Sequence, residues 1–190
     1  IGLILGALRD AGLADKTAVV VFADHGEAFG EHKLGGEPLY FHGESLYNEV
    51  LRVPLLIHVP GKGPQVISER ASLIDLAPTV LELAGAPLPT SFRGRSLANL
   101  VLGEPLPAGT PHPPAVAEML PCTAWPKNER AIIDTIDGVE YALYAKFTDN
   151  LSELYNLRDD PKQQKNLALS ESAKVRELLR RHAEYIQKKH

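Results

Sequence analysis

The sequence predicts an α/β fold: part of a sheet sandwiched by helices, then a small antiparallel sheet closed by a terminal helix. Three observations carry that expectation. Ala18 to Ala23 form an unbroken apolar run, the pattern of a strand buried on both faces, as in a parallel sheet covered by helices. Apolar residues at helical spacing precede it, and helix followed by buried strand is half of a βαβ unit. A proline-rich stretch over 103–114 then separates this part from three short strand-like runs and a charged helix.

Taken in order, Ile1, Leu3, Ile4, Ala7 and Leu8 recur as one helical face, with Gly12 as a left-handed cap. The apolar run ends at Asp24-His25-Gly26-Glu27, and residues 26–48 read as a long polar loop. Val53 to Val59 is a second buried strand with Pro54 at its entry, and Pro60-Gly61 turns. Val66 to Leu73 suggests a further extended piece. Asp75 is expected to cap a helix whose face is Leu76, Val80 and Leu83, with Pro78 in its first turn and Gly85 at its end. A short apolar piece ends at Leu102. The expected division is 1–102 as part of the α/β domain, 103–114 as linker, and 115–190 as the antiparallel subdomain. Within the last, residues 115–120, 131–135 and 139–147 read as strands, with Ile136-Asp-Gly138 as a hairpin turn. Glu153 to Leu157 reads as a short turn. Ser170 to Lys188 reads as a helix with Val175, Leu178 and Leu179 inward.

Composition narrows the function classes. The 190 residues are 44% apolar and 23% charged with a net charge of −4, so there is no basic field for a nucleic-acid partner. The single cysteine excludes an internal disulfide framework. No apolar run approaches the roughly 20 residues that span a bilayer, and no secretion signal is visible.

The chemistry concentrates after the first strand. In open α/β sheets, ligands collect beyond the carboxyl ends of strands. Asp24 supplies a hard anionic oxygen and His25 a neutral nitrogen, donors suited to manganese, zinc or calcium. His42, in Tyr40-Phe-His-Gly43, could stabilise charge on a sulfuryl or phosphoryl oxygen or protonate a leaving group, and Lys33 and His32 are further candidates. Each also has a plainer reading. Asp24 could cap a turn with His25 a partly buried polar side chain, and His42, His32 and Lys33 could be surface-loop residues.

Asp24-His-Gly-Glu-Ala-Phe-Gly-Glu-His32, His42-Gly, Leu51-Arg-Val-Pro-Leu-Leu-Ile57, Pro60-Gly61 and Ser72-Leu-Ile-Asp-Leu-Ala-Pro-Thr-Val-Leu-Glu-Leu-Ala-Gly85 occur here in one order. This set resembles the second half of a type I sulfatase of the alkaline-phosphatase superfamily. The tail Glu153-Leu-Tyr-Asn-Leu-Arg-Asp-Asp-Pro161, with Gln164 and Asn166-Leu-Ala168, is similar to the closing segment of those enzymes. The resemblance implies hydrolysis of a small-molecule or glycan sulfate ester. It implies a divalent metal, commonly calcium with manganese, zinc or magnesium as alternatives, held by Asp24 and His25. His42 lies near where many sulfatases carry a sulfate-contacting lysine, and related phosphoethanolamine transferases have His-Gly there. Arg52, Pro54, Asp75, Pro78 and Thr79 read as structural.

The family's nucleophile, a formylglycine made from Cys or Ser in Cys/Ser-x-Pro-x-Arg, has no counterpart here. Cys122 is followed by Thr-Ala-Trp-Pro126, with proline at the wrong spacing, and Ser91-Phe-Arg-Gly-Arg95 has no proline. The family's early Asp-Asp ligands are also absent. The expectation is therefore a carboxyl-terminal portion whose missing amino-terminal half supplies the nucleophile. Two alternatives stand beside it: a phosphoryl-group enzyme of the same superfamily, either a phosphoethanolamine transferase or a phosphonate monoester hydrolase, and a non-catalytic fragment. The resemblance also favours a periplasmic or secreted protein, although no residue of the chain itself speaks to compartment.

Overall fold

The structure, a computed structural model, describes residues 1–110, 112–123 and 126–187. It has two compact units. Ile1–Asp24 joins Pro54–Pro111, and His25–Val53 joins His112–His190. Asp24 and His25, neighbours in the chain, fall on either side of this division.

In the first unit, α1 (Gly2–Asp10) ends as expected, with Gly12 at φ 66° and its N–H on the Arg9 carbonyl. The apolar run becomes β1 (Val19–Phe22). It pairs antiparallel with the strand from Leu55 to His58, Val20 opposite Ile57, rather than in the parallel sheet expected. Nor is it buried on both faces: Phe22 and Leu56 are exposed. An apolar run reports that a strand has apolar neighbours, not which way they run. Pro54 does stand at the entry of the second strand, and Gly61 at φ 77° turns the chain. The extended piece expected at Val66 to Leu73 is irregular.

The helix expected from Asp75 forms at Leu76–Leu83, but the Asp75 side chain does not cap it. Asp75 closes a capping box on the preceding turn instead: its carboxylate accepts from Ser72 N at 2.9 Å and from Arg95 N at 2.8 Å. Thr79 Oγ1 donates to the Asp75 carbonyl at 2.6 Å and accepts from Leu97 N at 2.9 Å. These bonds tie the Arg93-Gly-Arg95 loop and the short helix Ala98–Val101 onto the longer one. Asp75 and Thr79 are thus structural, as the sequence suggests.

The second unit is built on a four-stranded antiparallel sheet, Ala115–Met119, Glu129–Ile136, Val139–Lys146 and Leu151–Asn156, in sequential order. The last strand covers the residues expected to form a short turn. Asp137 at φ 50° and Gly138 at φ 73° make the expected tight hairpin. Alternate residues face opposite layers. Ile132, Leu143 and Leu154 pack with Leu178 of the terminal helix Ser172–Gln187. The expected end of that helix at Lys188 lies outside the described residues. Ala131, Ala142, Tyr144 and Tyr155 pack on the other face against Ala28, Leu39, Tyr47 and Val50.

Ala28, Leu39 and Tyr47 come from the segment expected to be an irregular loop, and Val50 follows directly on it. That segment is a hairpin, β2 (Ala28–Leu34) and β3 (Glu37–Phe41), followed by α2 (Asn48–Leu51). Gly35 at φ 61° and Gly36 at φ 94° supply the two left-handed residues of its turn. Among the described residues, no helix is long and apolar enough to cross a membrane.

Candidate functional site

Gly26 anchors the site segment. Its N–H donates to the Val50 carbonyl at 2.7 Å, and a Cβ there would lie 2.0 Å from the Glu49 carbonyl oxygen. Only glycine lets the chain pass this close to α2. On one side of it, His25 places Nδ1 2.8 Å from the Gly26 carbonyl. A carbonyl can only accept, so Nδ1 carries the hydrogen of this contact.

His42 leaves the end of β3 between two left-handed residues, Phe41 at φ 65° and Gly43 at φ 86°. A bulky residue rarely holds that conformation, and such strain gathers at functional positions. The His42 ring lies on that of His25, with centroids 3.9 Å apart and planes tilted 31°. Both carboxylate oxygens of Glu27 sit 3.3 Å from His42 Nδ1. A carboxylate accepts, so this contact places a hydrogen on His42 Nδ1, as a carboxylate orients a catalytic or metal-binding histidine.

The structure thus brings His25 and His42 together and gives His42 a carboxylate partner. Asp24 precedes His25 in the chain, exposed beyond the end of β1. Lys33 is not brought to them. It pairs with Pro38 toward the hairpin turn, whereas Phe41, next to His42, pairs with Ala28 at the other end. At about 3.3 Å per residue, roughly 15 Å of strand separates the two. Arg52, read as structural, is an exposed cap of α2. Cys122 is exposed.

Among the described residues, no three His, Cys, Asp or Glu side chains are grouped to hold a metal ion. Asp24 and His25 offer donors of the right kind, a carboxylate oxygen and an imidazole nitrogen. Two donors are fewer than a divalent ion takes.

Sequence reasoning missed the polar cluster behind this site. His32 is not a substrate candidate: it turns inward, stacks on Tyr47 at 3.9 Å, and meets Glu49 at 2.7 Å and the Gln163 carbonyl at 3.0 Å. Gln163, buried at φ 55°, accepts from Asn48 N at 3.0 Å and donates to the Tyr144 hydroxyl. Glu153 accepts from Lys146 and Tyr47, each at 2.6 Å, and from Tyr155 at 3.1 Å. Burial alone would raise the Glu153 pKa, but these bonds outweigh it and hold the carboxyl below its usual range. The one signal was the tail motif around Glu153, whose partner Tyr47 lies 106 residues away in sequence.

A sulfatase family model matches residues 1–86, the stretch that contains Asp24, His25 and His42. Arylsulfatase K of Danio rerio is 34% identical over 170 residues, which are 88% of this chain and 31% of that protein. The chain is similar to sulfatases over most of its length. Its sulfatase fold is the alkaline-phosphatase-like one. A protein solved in complex with its substrate, D-glucosamine-2-N,6-O-disulfate, matches with a TM-score of 0.73 at 27% identity, over 99% of this chain and 37% of that one. A phosphonate monoester hydrolase from Silicibacter pomeroyi matches with a TM-score of 0.71 at 24% identity, over 98% of this chain and 37% of that one, a likeness of fold alone. The chain spans about a third of the length of the curated sulfatases it matches.

Proposed function

We propose that this chain is part of a metal-dependent sulfuric ester hydrolase acting on sulfated sugars. Asp24 and His25 would be metal ligands, and His42 the residue that meets the reacting ester. The observation that carries the reading is the His25–His42 stack with Glu27 behind it, in the segment the sulfatase model matches. The sulfated glucosamine bound by a structural relative supports the substrate class.

With Nδ1 of His42 engaged by Glu27, the proton available for transfer is the one on Nε2. As the S–O bond of the ester breaks, its electron pair stays on the sugar oxygen, and His42 Nε2–H donates to that oxygen. Glu27 stabilises the imidazolium beforehand and holds the ring in place afterwards. Lys33, if it contributes, acts on a more distant part of the substrate. The family implies a divalent metal, calcium being the first expectation, which would draw charge from the sulfate oxygens. A formylglycine nucleophile would come from outside this chain.

His42-Gly43 in place of a lysine supports a second reading, transfer of a phosphoryl group. The full protein should therefore be assayed with a sulfated glucosamine and a phosphonate monoester side by side. Sulfate release that exceeds phosphonate hydrolysis by at least about 10-fold in kcat/KM, a margin of about 1.4 kcal/mol in transition-state stabilisation, supports the sulfatase reading. The opposite ratio replaces it with the phosphoryl reading, and neither activity favours a non-catalytic chain.

A further inference from the structure

His32 faces two acceptors at once. Its Nδ1 lies 2.7 Å from a Glu49 carboxylate oxygen and its Nε2 3.0 Å from the Gln163 carbonyl oxygen. A backbone carbonyl can only accept, and an ionised carboxylate likewise, so both bonds exist together only when both ring nitrogens carry hydrogen. The His32 and Glu49 side chains are 10% and 11% exposed, so water does little to replace either partner. Three pieces of chain meet there: β2 through His32, α2 through Glu49, and the Gln163 turn. α2 in turn holds Gly26, the residue between His25 and Glu27.

We propose that His32, as an imidazolium, is a positioning residue: a strut joining β2, α2 and the Gln163 turn that fixes where the hairpin delivers Glu27 and His42. The inference rests on reading those residues as a site, but the strut can be tested without any turnover. The surrounding charges favour it. Burial opposes the cation, yet the bonds to Glu49 and the Gln163 carbonyl, with the fields of Glu49 and Glu153, overcome burial and raise the His32 pKa. Glu31 adds a neighbouring carboxylate on the same strand. The Tyr47 and Tyr144 hydroxyls stay neutral because burial pushes both far up. Lys146, the nearby cation, is engaged by Glu153.

Because the folded His32 pKa is raised, its contribution to the hairpin is fully present below the unfolded value and is lost as pH rises through the folded one. Deprotonation leaves one acceptor facing a lone pair, which should speed exchange of hairpin amides about 10-fold or more. The test is a pH titration of the full protein labelled with ¹⁵N-histidine, with hydrogen exchange of residues 28–41 corrected for intrinsic rates, in wild type and Glu49→Gln. His32 should be doubly protonated in mild acid, and hairpin exchange should rise as it titrates. In Glu49→Gln both transitions should move together to lower pH, with wild-type exchange retained in acid.

A singly protonated His32 in mild acid overturns the proposal. So does hairpin exchange that stays flat through the His32 titration. The wild-type titration decides this alone if the variant does not fold. Absence of sulfate release at every pH would count against the proposed activity while leaving these readouts intact. Where release occurs, its alkaline limb should shift with His32 in Glu49→Gln, and a limb that stays put also overturns the proposal.

Discussion

A methyl group at Gly26 would sit 2.0 Å from the Glu49 carbonyl oxygen, so Gly26→Ala must push the site segment off α2. We expect about 1–3 kcal/mol lower stability in thermal unfolding, as for other overpacked positions, with a larger proportional loss of turnover than of melting temperature. Glu153 allows a second prediction at this scale. Burial works against its ionised form and the bonds from Lys146 and Tyr47 outweigh it, so its folded pKa is depressed. Its contribution is present above the unfolded pKa and is lost as pH falls through the folded one. Glu153→Gln should therefore flatten the acid limb of the stability profile, and an unchanged acid limb would show the cluster to be inert. Asp24 and His25 could be picked out in the sequence because an acid and an imidazole end an apolar run. The pairing of His42 with Glu27 could not, because it depends on a hairpin register that brings residues fifteen apart together.

The β2–β3 hairpin was hidden by its own surface. Glu27, Glu31, His32 and Lys33 look like loop residues, and only Ala28 and Leu39 of the two strands are buried. Gly35-Gly36 was the local signal for the turn. β1 was legible as a strand and illegible in direction, since an apolar run is compatible with either pairing. The same holds for the helix Leu76–Leu83, where the sequence pattern placed the element but not which turn the Asp75 carboxylate closes. That carboxylate accepts two backbone N–H groups, from Ser72 and Arg95, while only 3% exposed. Asp75→Ala should cost about 2 kcal/mol or more by leaving buried donors unpaired. Chemical denaturation would show it, and metal content should not change.

At the scale of the whole molecule, the first unit leaves a large apolar surface open: Leu3 is 93% exposed and Ile4 68%, with Phe22 and Leu56 also exposed. A surface of that kind is an interaction site or a liability. The 190-residue chain on its own should therefore self-associate in sizing chromatography, and a sharp monomeric peak with a cooperative melt would contradict this. The sulfatases it matches are about three times longer, so the proposed activity belongs in the full protein. There, kcat for a sulfated sugar should be compared between wild type and His42→Gln, with metal content measured on the same samples. We predict a loss on the order of 100-fold or more with metal content unchanged, because the variant removes a proton donor and no metal ligand. Wild-type turnover in His42→Gln would contradict the assignment of the His25–His42–Glu27 cluster as the reacting site.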